Sequence, residues 1–376
     1  MKDRLEEAAE RWGTPIYVTD VDAALANAER WREAYPEALI AYAVKANPDP
    51  ALLHRLAEQG FGFEVVGPIE LALALRTGCS PEMIVVNGVG QTDADLAAAL
   101  ATGALVNAES LGALDALLAA MPGRIGVRVN PALDADTHPH LATGASASKF
   151  GVALQELPDA IGRIRKSGAD LSSIGAHIGS GITDAEPFSR LAQLLARLAA
   201  ETGARGIDLG GGFAGAPGHH ADAVRAHLPP GLPLILEPGR SIVGDAGWLV
   251  TRVLRVQKRG QLVADGGMSE LIRPMLYGAR HPVRLIRPGA TIANRRWTLS
   301  GPICEAGDIL AHDVDLGQEA GEGALLAIGD AGAYGLAMSS NYNGRLRPAQ
   351  AVIDRGELRL SRRRETLDDL VSRDVE

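Results

Sequence analysis

Leu39-Ile40-Ala41-Tyr42-Ala43-Val44-Lys45-Ala46-Asn47-Pro48 is an apolar run that ends in a lysine and a turn. A short apolar run closed by Asn-Pro reads as a strand of a parallel sheet, buried on both faces. The residues just past the strand separate two folds. An open doubly wound sheet places a glycine-rich phosphate loop after its first strand, and Lys45-Ala46-Asn47-Pro48 is not such a loop. The lysine also needs a reason, because lysine is rarely buried unless paired or neutralised. An amine that can lose its proton there is a Schiff-base nucleophile. A lysine snorkelling at a barrel rim is the plain alternative.

Working outward, similar runs recur at Phe61-Val66, Met83-Val86, Ala104-Val106, Ile125-Val129, Ile174-His177, Gly206-Leu209 and Leu234-Leu236. Between them lie Ala/Leu-rich segments of helical period, such as Asp49-Gln59, Asp93-Ala101, Glu109-Ala120 and Ala185-Thr202. Alternating strand and helix implies a parallel sheet. Eight such repeats imply a closed (β/α)8 TIM-type barrel, with its site at the C-terminal ends of the strands. The residues at those ends agree: Lys45, Glu64, Asn87, Asn107, Asn130, His177 before Gly179-Ser180-Gly181, Gly210-Gly211-Gly212, and Glu237-Pro238-Gly239-Arg240.

Beyond residue 240 the texture changes to short β-like stretches: Trp248-Gln257, Gln261-Ala264, Val283-Leu285, Thr291-Ser300, Gly323-Ala327, Ala351-Asp354 and Glu357-Ser361. Turns are expected at Lys258-Arg259-Gly260 and Arg355-Gly356. This predicts a second, mostly β domain of sandwich or barrel type. The lone strand Ile16-Thr19 is expected to join it. The expected division is a barrel over 22–245 and a β domain over 1–21 and 246–376.

The 376 residues are 46% hydrophobic and 22% charged, an ordinary globular composition. A net charge of −9 argues against nucleic acid or anionic membrane as the main partner. Cys79 and Cys304 make no disulfide framework. The charged start has no apolar signal region and no apolar run is long enough to span a bilayer, so a cytoplasmic location is expected.

Gly210-Gly211-Gly212 lets backbone N–H groups approach an anion, although a plain tight turn fits as well. Gly239-Arg240 adds a glycine and a cation after the neighbouring strand, and barrels favour phosphate at the loops after strands seven and eight. Glu237 ends a buried strand. It is either a structural ion-pair partner or a carboxylate that keeps a pyridine nitrogen protonated. His177 offers an imidazole face, and Ser180 a hydroxyl for phosphate. Together these groups specify pyridoxal 5'-phosphate. Zinc is the weaker idea, because His138, His140, His219 and His220 form no i, i+4 pair and have no cysteine partner. Cys304-Glu305 lies in a glycine-bounded loop. It is either an inert thiol or a proton donor beside a carboxylate. Arg273 and Tyr277 lie four apart.

Several motifs together resemble the fold-type III pyridoxal-phosphate-dependent decarboxylases. They are Tyr42-Ala43-Val44-Lys45-Ala46-Asn47, His177-Ile178-Gly179-Ser180, Glu237-Pro238-Gly239-Arg240, Cys304-Glu305 and Gly332-Ala333-Tyr334. Within that family the chain is most similar to the diaminopimelate decarboxylases, relatives of the ornithine and arginine decarboxylases. The segment from Thr137-His138-Pro139 to Ser148-Lys149-Phe150-Gly151 also resembles this family's barrel insertion.

The resemblance implies that Lys45 carries the cofactor, Glu237 faces its ring nitrogen and His177 stacks on the ring. Ser180, Gly212, Gly239, Arg240 and Tyr334 are then phosphate ligands or their neighbours. Arg240, Arg273, Tyr277, Glu305 and Tyr334 are implied to bind substrate, and Cys304 to return a proton after CO2 leaves. A head-to-tail homodimer with shared sites is implied. An arginine with a carboxylate at the substrate's far end favours meso-diaminopimelate over a simple diamine precursor. The chain departs from the family pattern at Gly67-Pro68-Ile69, at Glu64 in place of the usual aspartate, and at Val89-Gly90-Gln91. These departures leave room for another amino-acid-like substrate from a siderophore or antibiotic pathway. A non-catalytic regulatory homologue is the other class, and it could dispense with Lys45 or Cys304.

Overall fold

The computed structural model describes residues 1–121, 123–133, 144, 148–257, 260–292 and 296–375. The chain divides into two compact units, Leu25–Ile242 and Met1–Ala24 with Val243–Glu376.

In the first unit eight parallel strands close on themselves: β1 Leu39–Ala43, β2 Gly62–Val65, β3 Ile84–Val86, β4 Leu105–Ala108, β5 Arg124–Asn130, β6 Leu171–Gly175, β7 Ile207–Asp208 and β8 Leu234–Leu236. Each pairs with the next, and β8 returns to β1 through Ile235↔Leu39 and Leu236↔Ile40. The ring expected from the βα alternation is therefore present. A short strand, Val152–Ala153, pairs with β5 outside it.

Some of the barrel helices begin where the sequence supplies a side-chain cap. The Asp49 side chain accepts from the N–H groups of Ala51 and Leu52 ahead of helix Pro50–Glu58, and Thr92 and Asp95 form a reciprocal capping box ahead of Asp93–Ala101.

Ala41, Val85, Leu105 and Ile235 form a buried apolar layer inside the ring. Full burial of such a Val, Leu or Ile contributes about 1.5–3 kcal/mol. Side chains two residues apart on a strand share a face. Asn87, Asn107 and Glu237 follow Val85, Leu105 and Ile235 by two, so this register carries them inward above the apolar layer. The strand period thus builds a polar floor at the C-terminal ends of the strands.

Most strand boundaries shift by a few residues, and two of the shifts shape the site. Strand one stops at Ala43, and Val44–Ala46 form one 3-10 turn that carries Lys45. The Asn47 side-chain oxygen accepts from the Asp49 N–H at 3.1 Å, and the Asn47 carbonyl accepts from the Tyr42 hydroxyl at 3.2 Å. The chain is thereby turned before Val44 can extend the strand. Strand six ends at Gly175 rather than at His177, where the glycine-rich loop begins.

The second unit is mostly β. Ile16–Asp20 runs antiparallel to Gly247–Gln257 and parallel to Ala349–Asp354. Arg355-Gly356 joins Ala349–Asp354 to Glu357–Arg362 with φ of 53° and 75°, the backbone of a tight twisted hairpin. The expected strand Thr291-Ser300 is observed as Arg296–Ser300. Ile309–Asp315, which the sequence reading did not anticipate, pairs with it through bulges. Leu310 alone in that strand is fully buried, so no alternation marks it. The expected turn residues Lys258-Arg259, the insertion motif Thr137-His138-Pro139 and His140 lie outside the described residues.

Candidate active site

At the barrel's C-terminal end a cavity of about 470 Å³ is lined by Lys45, Glu64, Asn87, Arg128, His177 and Glu237 among others. The Lys45 ammonium pairs with the Glu64 carboxylate. Glu64 is almost wholly buried, whereas the lysine side chain is about one-third exposed. The turn that interrupts β1 therefore delivers an amine to the cavity with an acceptor already beside it.

An amide relay supports the floor. The Asn87 Nδ2 group donates to Glu237 Oε1 at 2.7 Å and to Glu64 Oε1 at 3.2 Å. Asn107 Nδ2 donates to Asn87 Oδ1 at 2.9 Å, which fixes which way that amide points. The relay ties the carboxylate beside the lysine to the carboxylate of β8. Burial pushes the Glu237 carboxyl well above the usual carboxylate range, and the nearby Asp208 and Glu64 push it further. Asp208 is also raised by burial, opposed by the Gly210 N–H that it accepts at 2.8 Å. Glu237 thus binds its proton more readily than an ordinary carboxylate does, and a cationic neighbour such as a protonated ring nitrogen would draw it to its ionised form.

His177 has its pKa pushed well below the usual value by burial and then by the Arg128 and Lys45 charges, so it is neutral. The Gly179 N–H donates to His177 Nδ1 at 3.2 Å, which leaves the proton on Nε2.

The loops after β6, β7 and β8 nest together. Arg240 Nη2 donates to Ser180 Oγ at 3.3 Å, and the Ile182 N–H donates to the Gly212 carbonyl at 3.0 Å. A Cβ on Gly212 would lie 2.0 Å from the Gly179 oxygen, and one on Gly211 would lie 2.3 Å from the Glu237 oxygen. Only glycine lets these backbones approach so closely. Ser180, Gly212, Gly239 and Arg240 are thereby gathered into one anion-compatible corner.

In the second unit the Arg273 guanidinium is buried, 5.4 Å from the Tyr277 ring centre and 5.9 Å from that of Tyr334. Tyr334 has φ of 57°, an uncommon conformation for a non-glycine residue. Cys304 is exposed. The neighbouring Glu305 accepts from the Tyr342 hydroxyl at 2.6 Å.

Sequence reasoning left several groups without a role. Asn87 and Asn107 were visible as polar strand ends, but nothing in the sequence joins them to Glu237. Glu109 is buried. It accepts from Arg128 Nη1 at 3.1 Å at each oxygen and from the Gly88 N–H at 2.7 Å. Arg128 and Asp208 read only as members of the strand candidates Ile125-Val129 and Gly206-Leu209. His220 is a buried member of an aromatic cluster with Phe188 and Phe213.

Residues 22–244 match the family described as pyridoxal-dependent decarboxylase, pyridoxal binding domain. The chain is 39% identical to a diaminopimelate decarboxylase of Deinococcus radiodurans over 99% of this chain and 98% of that one. The chain belongs to the diaminopimelate decarboxylase family of pyridoxal-dependent decarboxylases. Another relative, from Pseudomonas aeruginosa, is 40% identical over 97% of this chain and 94% of its own. The crystal structure of the Helicobacter pylori diaminopimelate decarboxylase complexed with L-lysine superposes with a TM-score of 0.93, at 33% identity and 98% coverage of both chains. Within this decarboxylase fold the relay makes a prediction. Asn87→Leu leaves Glu237 and Glu64 without their shared donor, at a cost of about 1–3 kcal/mol. Cofactor affinity, read by equilibrium dialysis, is expected to fall by about 5- to 150-fold.

Proposed function

We propose that this protein removes CO2 from meso-diaminopimelate to give L-lysine, using pyridoxal 5'-phosphate. The observation that carries this reading is the barrel floor, where Lys45 and the buried Glu237 are joined through Glu64 and Asn87. These groups fit a phosphorylated pyridine aldehyde: an amine for the aldehyde, a carboxyl for the ring nitrogen and a glycine-lined corner for the phosphate. Bound there, the cofactor supplies an electron sink for the pair left behind as CO2 departs.

The residues divide the remaining work. Glu64 sits where it can take the proton that the Lys45 amine must lose to act as a nucleophile. Glu237, as a carboxylate facing the ring nitrogen, would keep that nitrogen protonated. His177, being neutral, presents a flat face without placing a second charge against the ring. Ser180, Gly212, Gly239 and Arg240 hold phosphate, with Tyr334 completing that end. Arg273 and Tyr277 clamp the distal carboxylate of the substrate, Arg240 and Tyr334 border it, and Glu305 accepts its distal ammonium. Cys304 returns the proton to the carbon that lost CO2. The enzyme works as a cytoplasmic homodimer in which the Cys304-Glu305 loop serves the partner's site.

The test is CO2 release by cofactor-loaded protein offered meso-diaminopimelate, L-lysine, L-ornithine and L-arginine separately. Turnover of the first alone is expected. Silence on all four, with the cofactor bound, would overturn the substrate assignment. Shared sites are tested by mixing Lys45→Ala and Cys304→Ala chains. Each homodimer is expected to be nearly inactive, and the verified heterodimer is expected to recover up to about one-half of wild-type activity, as one intact site of two per dimer requires. A heterodimer as inactive as its parents would refute sharing.

A further inference from the structure

Asp308 is a buried carboxylate in the second unit, outside every role assigned above. One oxygen, Oδ2, accepts from the Ile303 N–H at 2.7 Å, inside the Cys304-Glu305 loop. The other, Oδ1, accepts from the Met268 N–H at 2.6 Å, on a separate turn. Its backbone closes the first loop from both sides: the Asp308 N–H donates to the Glu305 carbonyl at 3.1 Å, and the Asp308 carbonyl accepts from the Gly301 N–H at 3.0 Å.

Two glycines make room for this carboxylate. A Cβ on Gly267 would lie 2.6 and 2.7 Å from its oxygens, and one on Gly301 would lie 2.5 and 2.4 Å away. The turn that it grips is stiff in its own right. Glu270 Oε2 accepts from the Gly267 N–H at 2.7 Å, and the Leu271 N–H donates to the Gly267 carbonyl at 2.9 Å. Two residues later the chain enters helix Arg273–Tyr277. Gly307 lies against the same helix, where its Cβ position would be 3.4 Å from Met275 Cγ.

We infer that Asp308 is a positioning residue that clamps the Cys304-Glu305 loop to the turn leading into Arg273 and Tyr277, and so holds the proton donor that each chain lends to its partner's site at a fixed place relative to the residues with which the chain grips substrate in its own. The inference rests on the proposed roles of those four residues. Burial raises the Asp308 pKa, while the Ile303 and Met268 N–H groups oppose that rise, so the carboxylate is held by the loops it joins. Short hydrogen bonds to an ionised acceptor are the strong ones. Asparagine keeps the shape but has one accepting oxygen, so one of the two N–H groups would face an amide NH2.

The experiment uses the cofactor-loaded Asp308→Asn protein. Activity is normalised to bound cofactor, which sits on the barrel. A displacement of about 1 Å at a reacting group costs about 100-fold, so kcat/KM for meso-diaminopimelate is expected to fall by about that factor. Both kcat and KM should change, because Cys304 serves the first and Glu305 with Arg273 the second. Alkylation of Cys304 should accelerate several-fold. A variant that merely unfolds a fraction of its molecules would lose cofactor and activity in step and keep its KM.

Wild-type kcat, KM and Cys304 alkylation in Asp308→Asn would overturn the clamp. Gly267→Ala, which crowds the carboxylate rather than removing it, is expected to show the same pattern. Should neither variant fold, hydrogen exchange on the wild-type protein decides. Ile303 and Met268 amides protected as well as those of neighbouring strands are expected, and exchange at exposed-loop rates would overturn the clamp. If wild-type protein binds cofactor yet leaves meso-diaminopimelate untouched, the substrate reading alone fails. The alkylation and exchange results then judge the clamp by the same criteria.

Discussion

Lys45→Ala is expected to abolish CO2 release, by about 10⁴-fold or more, the scale seen when an enzyme loses its nucleophile. Borohydride treatment should leave the cofactor covalently fixed to the Lys45 peptide of the wild-type protein and to nothing in the variant. The lysine also has an electrostatic role, because it is the cation beside the nearly wholly buried Glu64. Truncating one partner of a buried pair leaves the other uncompensated, which costs several kcal/mol in a fully dry site. With Lys45 about one-third exposed, the cost here is expected nearer 1–2 kcal/mol. The double variant Lys45→Ala/Glu64→Gln separates the two roles. It should recover most of the lost stability in urea unfolding and none of the activity. Recovery of turnover, or full activity in Lys45→Ala alone, would remove Lys45 from the chemistry.

The amine could be read from the sequence because a charged residue at the mouth of a buried strand violates the burial pattern around it. The same rule exposed Glu237 at the end of Leu234-Ile235-Leu236, and the glycine runs after β6 and β7 announced loops with close backbone approach. The eight-stranded ring came from counting strands and helices, since alternation at that spacing leaves few architectures.

What the sequence could not supply was the link between strands. Asn87 and Glu237 are 150 positions apart and meet only because β3 and β8 both end on the same floor. Arg128 and Glu109 meet across β5 and the end of β4 in the same way. Such partners are set by barrel closure, which single-strand periodicity does not encode. Ile309–Asp315 escaped notice for a different reason. It is a strand by pairing rather than by burial, and Asp313 within it has φ of 50°, so neither alternation nor propensity marks it. Asp308 shows the same limit at the level of a side chain. Its neighbours Gly301 and Gly267 are glycines because of a carboxylate that the fold brings between them.

Glu237→Gln is expected to move activity and stability in opposite directions. Gln carries no negative charge to hold a proton on the ring nitrogen, so kcat should fall by about 10²–10⁴-fold, the range for losing a positioned acid–base group. The stability change is a matter of linkage. The folded-state pKa of Glu237 is raised well above its ordinary value by burial and by Asp208 and Glu64. Between the ordinary value and that raised value the unfolded chain has released its proton while the folded chain keeps it. The folded state therefore binds more protons, and stability falls as pH rises through that window. Gln carries no ionisable group and removes this decline. The cofactor-free variant should thus unfold at higher urea than cofactor-free wild type at neutral and mildly alkaline pH. The two should converge below the ordinary glutamate range, where Glu237 is protonated in both states. A gain of about 1–3 kcal/mol is expected from relieving one buried carboxyl, and it should appear as an upward shift in the urea midpoint with an unchanged slope. Wild-type stability that rises between neutral and alkaline pH, or a Gln variant less stable across that range, would mean that Glu237 is held as a carboxylate in the folded protein. That would overturn the raised pKa of the cofactor-free site, while the ring-nitrogen role, which an ionised carboxylate fills, would stand.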